Sequence, residues 1–255
     1  MRYATLASGS GGNATLIEHA GRALLVDCGP SARTVAARIA ELDFDPARVD
    51  AILVTHEHDD HVGSAAALAR RHDIPVHVTA GTARAAAARL AGVARLVPLT
   101  PGQTFTLGPF AILPVIVPHD AREPCQFVIA AGGRRFGILT DLGQPTAHVE
   151  HHYRALDGLM LEFNHEPELL ARSPYPRSLQ QRIGGDYGHL SNGQASTLLA
   201  RLEPQSLVSF TAAHLSEKTN TPAHVAACLA TCLPAAVPRH IARQDAVSPW
   251  FALDA

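Results

Sequence analysis

The sequence predicts an α/β sandwich in which two β-sheets pack face to face and helices cover both outer surfaces. Three observations carry that expectation. Short apolar runs of strand length alternate with helix-period stretches, the second half repeats this style without repeating the sequence, and no linker, low-complexity tract or charge block interrupts it. At 255 residues and 47% hydrophobic composition the chain has enough apolar material for a sizeable core, and it reads as one domain over residues 1–255.

Arg2–Leu6, Asn13–His19 and Arg22–Asp27 read as three strands, the last two joined by a turn at Ala20-Gly21. In Thr34–Leu42 the residues Val35, Ile39 and Leu42 line one face of a helix. Ala51–Val54 is a short buried strand that runs directly into a cluster of histidines. Gly63–Arg71 then reads as a helix, Pro75–Thr79 as a strand, Thr82–Leu90 as an alanine-rich helix and Arg95–Val97 as a strand stopped by Pro98. The second half has strands at Phe110–Val117, Gln126–Ala130 and Arg135–Thr140, a helix at Thr146–Ala155 and a strand at Gly158–Glu162. A helix through Leu198–Leu202, a strand at Leu207–Phe210 and a helix at Ala223–Leu233 follow. Between them Asn164–Asn192, rich in Gly, Pro, Arg and Tyr, is the least regular stretch and reads as an inserted cap or site loop.

Charge and cysteine usage narrow the function classes. A net charge of −2 gives no global basic field to hold a long nucleic acid, so any such substrate must be gripped locally. Cys28, Cys125, Cys228 and Cys232 are scattered, without the two-residue gap of redox or zinc hairpins, and read as reduced small hydrophobes. The N-terminal stretch enters a Gly/Ser turn at Ser8-Gly9 too early for a signal peptide, and no later run has the length of a membrane span. The expectation is a cytoplasmic protein without membrane association. Nothing in the sequence calls for an obligate protein partner. The 15 histidines stand out, because histidine is the commonest metal ligand.

Four of the candidate site residues lie in one run of six. His56-Glu57-His58-Asp59-Asp60-His61 places three imidazoles and three carboxylates just past a strand end, a strong signal for metal ligation. Alternation lets His56 and His58 point to the same side, while Asp60 and His61 can reach a second ion beside the first; Glu57 and Asp59 are left for helix capping or ligand support. Four side chains do not complete two sites. His119, Asp141 and His214 each terminate an apolar strand and are the candidates for the remaining ligands. The stretch Ser8–Asn13 lacks the lysine of a P-loop and lies between two strands, yet as a tight turn it could offer Ser8, Asn13 or backbone N–H groups to a phosphate. Arg172, Arg177 and Arg182, with Tyr175 and Tyr187 nearby, read as a solvated surface diluted by Glu166, Glu168 and Asp186, with a local nucleic-acid groove as the alternative.

The chain resembles metallo-β-lactamase-fold hydrolases and, more narrowly, the YycJ/WalJ-like group. The likeness runs through Ser8-Gly9-Ser10-Gly11-Gly12-Asn13, His56-Glu57-His58-Asp59-Asp60-His61, Pro118-His119-Asp120-Ala121, Thr140-Asp141-Leu142-Gly143, Glu162-Phe163-Asn164-His165, Gly188-His189-Leu190-Ser191-Asn192 and Ala213-His214-Leu215-Ser216. The resemblance implies an αββα fold in which His56, His58 and His119 hold one divalent ion, Asp60, His61 and His214 hold a second, and Asp141 bridges them. His58 separates the chain from the flavodiiron branch, which has a glutamate there. The ligand types suit zinc or manganese. A hydroxide bridging the two ions is then the expected nucleophile, with Asp60 and Asp141 lowering the net charge of the pair and orienting it.

Phosphodiester cleavage also expels an alkoxide that benefits from a general acid, and His189 is the candidate. By chain order it corresponds to the non-ligand histidine of ribonuclease Z-like and PhnP-like phosphodiesterases. The competing reading is a capping turn, with Ser191 or Asn192 capping the next helix. His165 and Asn192 are further candidates for substrate contact, His165 equally for support of the ligands. Glu123 and Glu166 stand where the group tends to have aspartate. The expected activity is therefore a two-metal phosphodiesterase, by resemblance a 5′-to-3′ exonuclease on DNA. The alternatives are a thioester or lactam hydrolase, or a hydrolase of a small cyclic or dinucleotide phosphodiester; a non-catalytic binding protein would require ligand loss, and no position of the pattern is lost.

Overall fold

The computed structural model describes residues 1–254. Strands β1 (Arg2–Ala7), β2 (Ala14–His19) and β3 (Arg22–Val26) form an antiparallel meander whose residues are almost all buried, because both faces of the sheet are covered. Helix α1 (Ala32–Glu41) starts at Ser31, whose hydroxyl accepts the Thr34 N–H, and turns Val35 and Ile39 inward. Then come β4 (Val49–Leu53), α2 (Asp59–Val62), α3 (Ala65–His72), β5 (Val76–Thr79), α4 (Ala80–Ala85) and β6 (Leu96–Leu99). In this part the strands pair in parallel, as strand-helix-strand crossovers require.

The second sheet repeats the plan. It has antiparallel β7 (Phe105–Leu107), β8 (Phe110–Ile116), β9 (Cys125–Ala131) and β10 (Arg134–Leu139), then α5 (Ala147–Tyr153) and β11 (Gly158–Glu162). Two short helices, α6 (Pro167–Ala171) and α7 (Arg177–Ile183), precede α8 (Asn192–Arg201), β12 (Ser209–Ala213), α9 (Pro222–Cys232), β13 (Arg239–Ile241) and β14 (Phe251–Ala252). The strand orders are β14-β1-β2-β3-β4-β5-β6 and β13-β12-β11-β10-β9-β8-β7. The last strand thus returns to the edge of the first sheet, and the Met1 amino group reaches Asp254.

Three apolar clusters give the expected layers. One lies between the sheets and includes Tyr3, Ile17, Phe127 and Phe136; one lies beneath α1 and α3; the third lies beneath α5, α8 and α9. Each large side chain removed from water in these layers contributes roughly 1.5–3 kcal/mol. Tyr3 stacks on Phe136 with ring centroids 4.1 Å apart, and its hydroxyl, deep between the sheets, lies 2.9 Å from both the Ser209 and Thr211 hydroxyls. The polar tip of this buried ring is thereby satisfied.

Several boundaries differ from the sequence reading for identifiable reasons. The helix expected over Gly63–Arg71 starts earlier, because α2 begins inside the histidine cluster at Asp59 and is offset from α3 at Gly63-Ser64. The helix around Leu198–Leu202 begins at Asn192, where Ser191 and Gln194 form a reciprocal capping box. Asn164–Asn192 is not an irregular loop: Pro167 and Pro176 set the starts of α6 and α7, and Gly184 ends the latter. Among the described residues no helix is long and apolar enough to cross a membrane.

Candidate metal centre and catalytic cleft

Both sheets supply candidate ligands at one rim of the sandwich. From the first sheet, β4 ends just before Thr55 and His56, His58 stands at the N-cap of α2, and Asp60 and His61 lie in its single turn. From the second, His119, Asp141 and His214 follow the ends of β8, β10 and β12. His58 Nδ1 lies 3.1 Å from His56 Nε2 and 3.3 Å from His119 Nε2. A second group forms beside it, with His61 Nε2 3.3 Å from Asp60 Oδ2 and His214 Nε2 3.4 Å from the same oxygen. Asp141 lies between the groups, 3.2 Å from His61 Nε2, 3.6 Å from His214 Nε2 and 3.9 Å from His119 Nε2.

The residues fit divalent metal ions. In each of the sets His56/His58/His119 and Asp60/His61/His214 the donor atoms all fall within 4.8 Å of one another. Three imidazole nitrogens converging at 3.1–3.3 Å cannot all be satisfied by hydrogen bonds among themselves, whereas a shared cation satisfies every lone pair. Asp141 Oδ2 is buried without a hydrogen-bond partner, an acceptor left for such an ion. Burial opposes charge on His61, but Asp141, Asp60 and Asp27 override it and raise its pKa well above the usual histidine value. Burial and the neighbouring His61 hold His56 well below it. Divalent ions bound here would supply the positive charge that these carboxylates favour.

The sequence reading missed two residues that orient the ligands. Asp27, just past β3, accepts from His61 Nδ1 at 2.7 Å and from the Thr55 backbone and hydroxyl, which aims His61 Nε2 into the site. Glu162, the last residue of β11 and fully buried, accepts from the Leu142 and Leu190 N–H groups on Oε1 and from the Asp141 N–H on Oε2. Its Oε2 also lies 3.1 Å from His189 Nδ1. Burial raises the Glu162 pKa, but the hydrogen bond and charge of His189 and the bond from His214 outweigh it and hold the carboxyl at about 2. The available signal was a carboxylate ending an apolar strand, the same signal that singled out Asp141.

Asp27, Asp141 and His214 share a backbone feature, with φ of 61°, 52° and 53°. The left-handed conformation costs about 1–3 kcal/mol for a non-glycine residue and survives only where its surroundings enforce it. Here it turns each chain sharply at a strand end. Close backbone approach enforces a neighbouring turn too: a Cβ at Gly29 would stand 1.8 Å from the Asp60 carbonyl oxygen.

The centre opens into a cleft of about 450 Å³. His58, Asp60, Asp141, His189 and His214 line it, while α7 and the turn before it contribute Tyr175, Leu179, Arg182 and Ile183. His189 is partly exposed there, its ring centroid 5.4 Å from that of His119 and 5.1 Å from that of His214. The capping-turn reading is also realised, with Ser191 as the cap, and it leaves His189 directed at the site.

Other expected substrate contacts lie elsewhere. Ser8 is buried and its hydroxyl accepts the His214 N–H at 2.8 Å. Asn13 is buried and its amide donates to Gly9 O and to Asp60 Oδ2. The N–H groups of Ser8, Gly9, Gly11, Gly12 and Asn13 are engaged within the protein, and Ser10 is the residue of the turn that lines the cleft. Asn192 is fully buried, donating to Glu166 and to Asn220. His165 faces a separate cleft of about 310 Å³ beneath α6 and α7. The glutamates noted as departures serve the backbone and Asn192: Glu123 accepts the Gly81 N–H and Glu166 the Asn192 amide.

Comparison with known proteins agrees with this geometry. The β-lactamase superfamily domain matches residues 22–210. The chain is 33% identical to the exodeoxyribonuclease WalJ of Streptococcus pneumoniae over 86% of its own length and 83% of that protein's. It is 30% identical to the exodeoxyribonuclease YycJ of Bacillus anthracis over 86% and 84% of the two chains. In structure it is similar to the metallo-β-lactamase fold protein YhfI of Bacillus subtilis, with a TM-score of 0.76 over 97% of this chain and 99% of that one at 17% identity. From its fold, its paired histidine and aspartate clusters and these relatives, the chain belongs to the β-lactamase superfamily and, within it, to the WalJ/YycJ-like group of metal-dependent hydrolases.

Proposed function

We propose that the chain is a two-metal phosphodiester hydrolase acting on nucleic acid, a DNA exonuclease of 5′-to-3′ polarity. The observation that carries the phosphodiester reading is His189. It stands at the metal cluster outside the two ligand sets, and its Nδ1 is tied to a buried carboxylate whose other acceptor positions are taken by backbone N–H groups. That pairing leaves Nε2 for the cleft, the position a general acid requires. A thiolate, being a weaker base, has less need of such an acid than an alkoxide. The DNA preference is supported by the relatives, which are named exodeoxyribonucleases; the polarity follows only from the resemblance to their group.

In this reading His56, His58 and His119 hold one zinc or manganese ion, Asp60, His61 and His214 hold the other, and Asp141 serves both. When bound, such ions would supply charge neutralisation at the phosphoryl group and acidify water. The protein supplies the rest. Asp27 and Glu162 fix ring orientations, Asn13 holds the Asp60 carboxylate, and His189 delivers a proton to the departing oxygen.

A substrate panel tests the proposal: a bis-aryl phosphodiester, 5′-labelled DNA and RNA, a thioester and a cephalosporin, each with zinc and with manganese. Cleavage of DNA from its 5′ end is expected, and cleavage of the thioester alone would overturn the proposal. Within the panel, His189→Ala should lower turnover on a poor alkoxide leaving group by about a hundredfold or more, and on an activated aryl leaving group far less. Equal losses would remove the general-acid role.

A further inference from the structure

Two sides of the cleft differ in chemistry. One is the polar candidate metal centre; the other, contributed by α7 and the turn before it, is mixed apolar and cationic. Leu179 and Ile183 lie four residues apart on one face of α7, half-buried, and belong to none of the three apolar cores. Beside them is Arg182, the one arginine or lysine among the residues lining the cleft.

Arg182 is held in place without being used up. Its Nε donates to Asp120 Oδ2, and Asp120 is itself fixed by its own N–H to the Tyr187 carbonyl at 2.9 Å. Among the described residues the two terminal amino groups of the guanidinium make no hydrogen bond, so that edge can fork onto a phosphate. Tyr175 lies at the same wall, with the ammonium group of Lys218 5.2 Å from its ring centroid. Lys218 is the only lysine in the chain and sits four residues after His214. The cap is also tied to the general acid, because the His189 N–H donates to Ile183 O at 2.8 Å.

We propose that Arg182 and Tyr175 bind the nucleotide next to the scissile phosphodiester, the guanidinium taking its phosphate and the phenol ring stacking on its base. The assignment rests on the nucleic-acid reading of the site. It provides the local grip that a chain of net charge −2 requires. It also specifies a single strand: the cleft has the size of a small-ligand site, roughly 300–1,000 Å³, and the stacking surface takes one base whatever its identity. Asp120 is a positioning residue that presents the guanidinium edge.

The test pairs changes in protein and substrate on the metal-loaded enzyme. Single-stranded oligonucleotides carry one neutral methylphosphonate, placed in turn on either side of the scissile linkage, or one abasic nucleotide at the same positions. For wild-type protein one methylphosphonate position should raise KM about tenfold, and in Arg182→Ala that same change should have no further effect, with Arg182→Lys between them. The abasic nucleotide should behave likewise against Tyr175→Ala, with a loss of about tenfold in the wild type alone. If the losses from protein and substrate multiply, neither side chain meets the group assigned to it and the proposal falls. If wild-type protein cleaves no oligonucleotide, the nuclease reading itself has failed. If it cleaves them without a position-dependent effect, only the assignment of Arg182 and Tyr175 has failed.

Discussion

Asp141→Asn should bind less metal and lose more than about a hundredfold in turnover, beyond the range typical for residues that only support ligands. The change is isosteric, and asparagine accepts the left-handed backbone that Asp141 occupies at φ 52°, so the fold itself should survive. What disappears is a full negative charge between His61, His119 and His214, and with it the carboxylate that lies near both ligand groups. Metal content per chain after dialysis, measured beside kcat, checks the prediction. A variant that keeps its metal and its activity would sink the bridging role.

Glu162→Gln should weaken both folding and turnover. In the native protein three backbone N–H groups, the His189 ring and, at 3.5 Å, the His214 ring converge on this one buried carboxylate. An amide of the same shape retains one oxygen and sets an NH₂ against donors it cannot accept from. Breaking a buried charge-assisted network of this kind costs about 3–5 kcal/mol. Because Glu162 also orients His189, kcat should drop by about ten- to a hundredfold with little change in KM. Denaturant unfolding and steady-state kinetics on the same preparation separate the two effects. Wild-type stability would show that the carboxylate does not organise the site.

The legible part of this protein was its local part. The histidine cluster announces itself because its residues are contiguous, and His119, Asp141 and His214 because each breaks an apolar strand at its end. The layers were legible because strand and helix periods differ. The less legible part rests on contacts between distant segments. Asp27 and Thr55 come together only when β3 and β4 pair, and Glu162 reaches Leu190 only after the cap has folded. Ser8 and Asn192 carry the polar groups of a substrate contact, but long-range hydrogen bonds to His214, Glu166 and Asn220 consume them. Arg182 looked like one of three solvated arginines in the sequence; its place in the cleft and its bond to Asp120 set it apart.

The stack of Tyr3 on Phe136 lies in the layer that sets the separation of the two sheets, and each sheet carries its own share of the ligands. The spacing between His56, His58 and His61 on one side and His119, Asp141 and His214 on the other is therefore a dimension of the apolar interior. Metal affinity becomes a gauge of core packing: a cavity opened at Phe136 would register as a weaker chelate effect before any ligand had been touched.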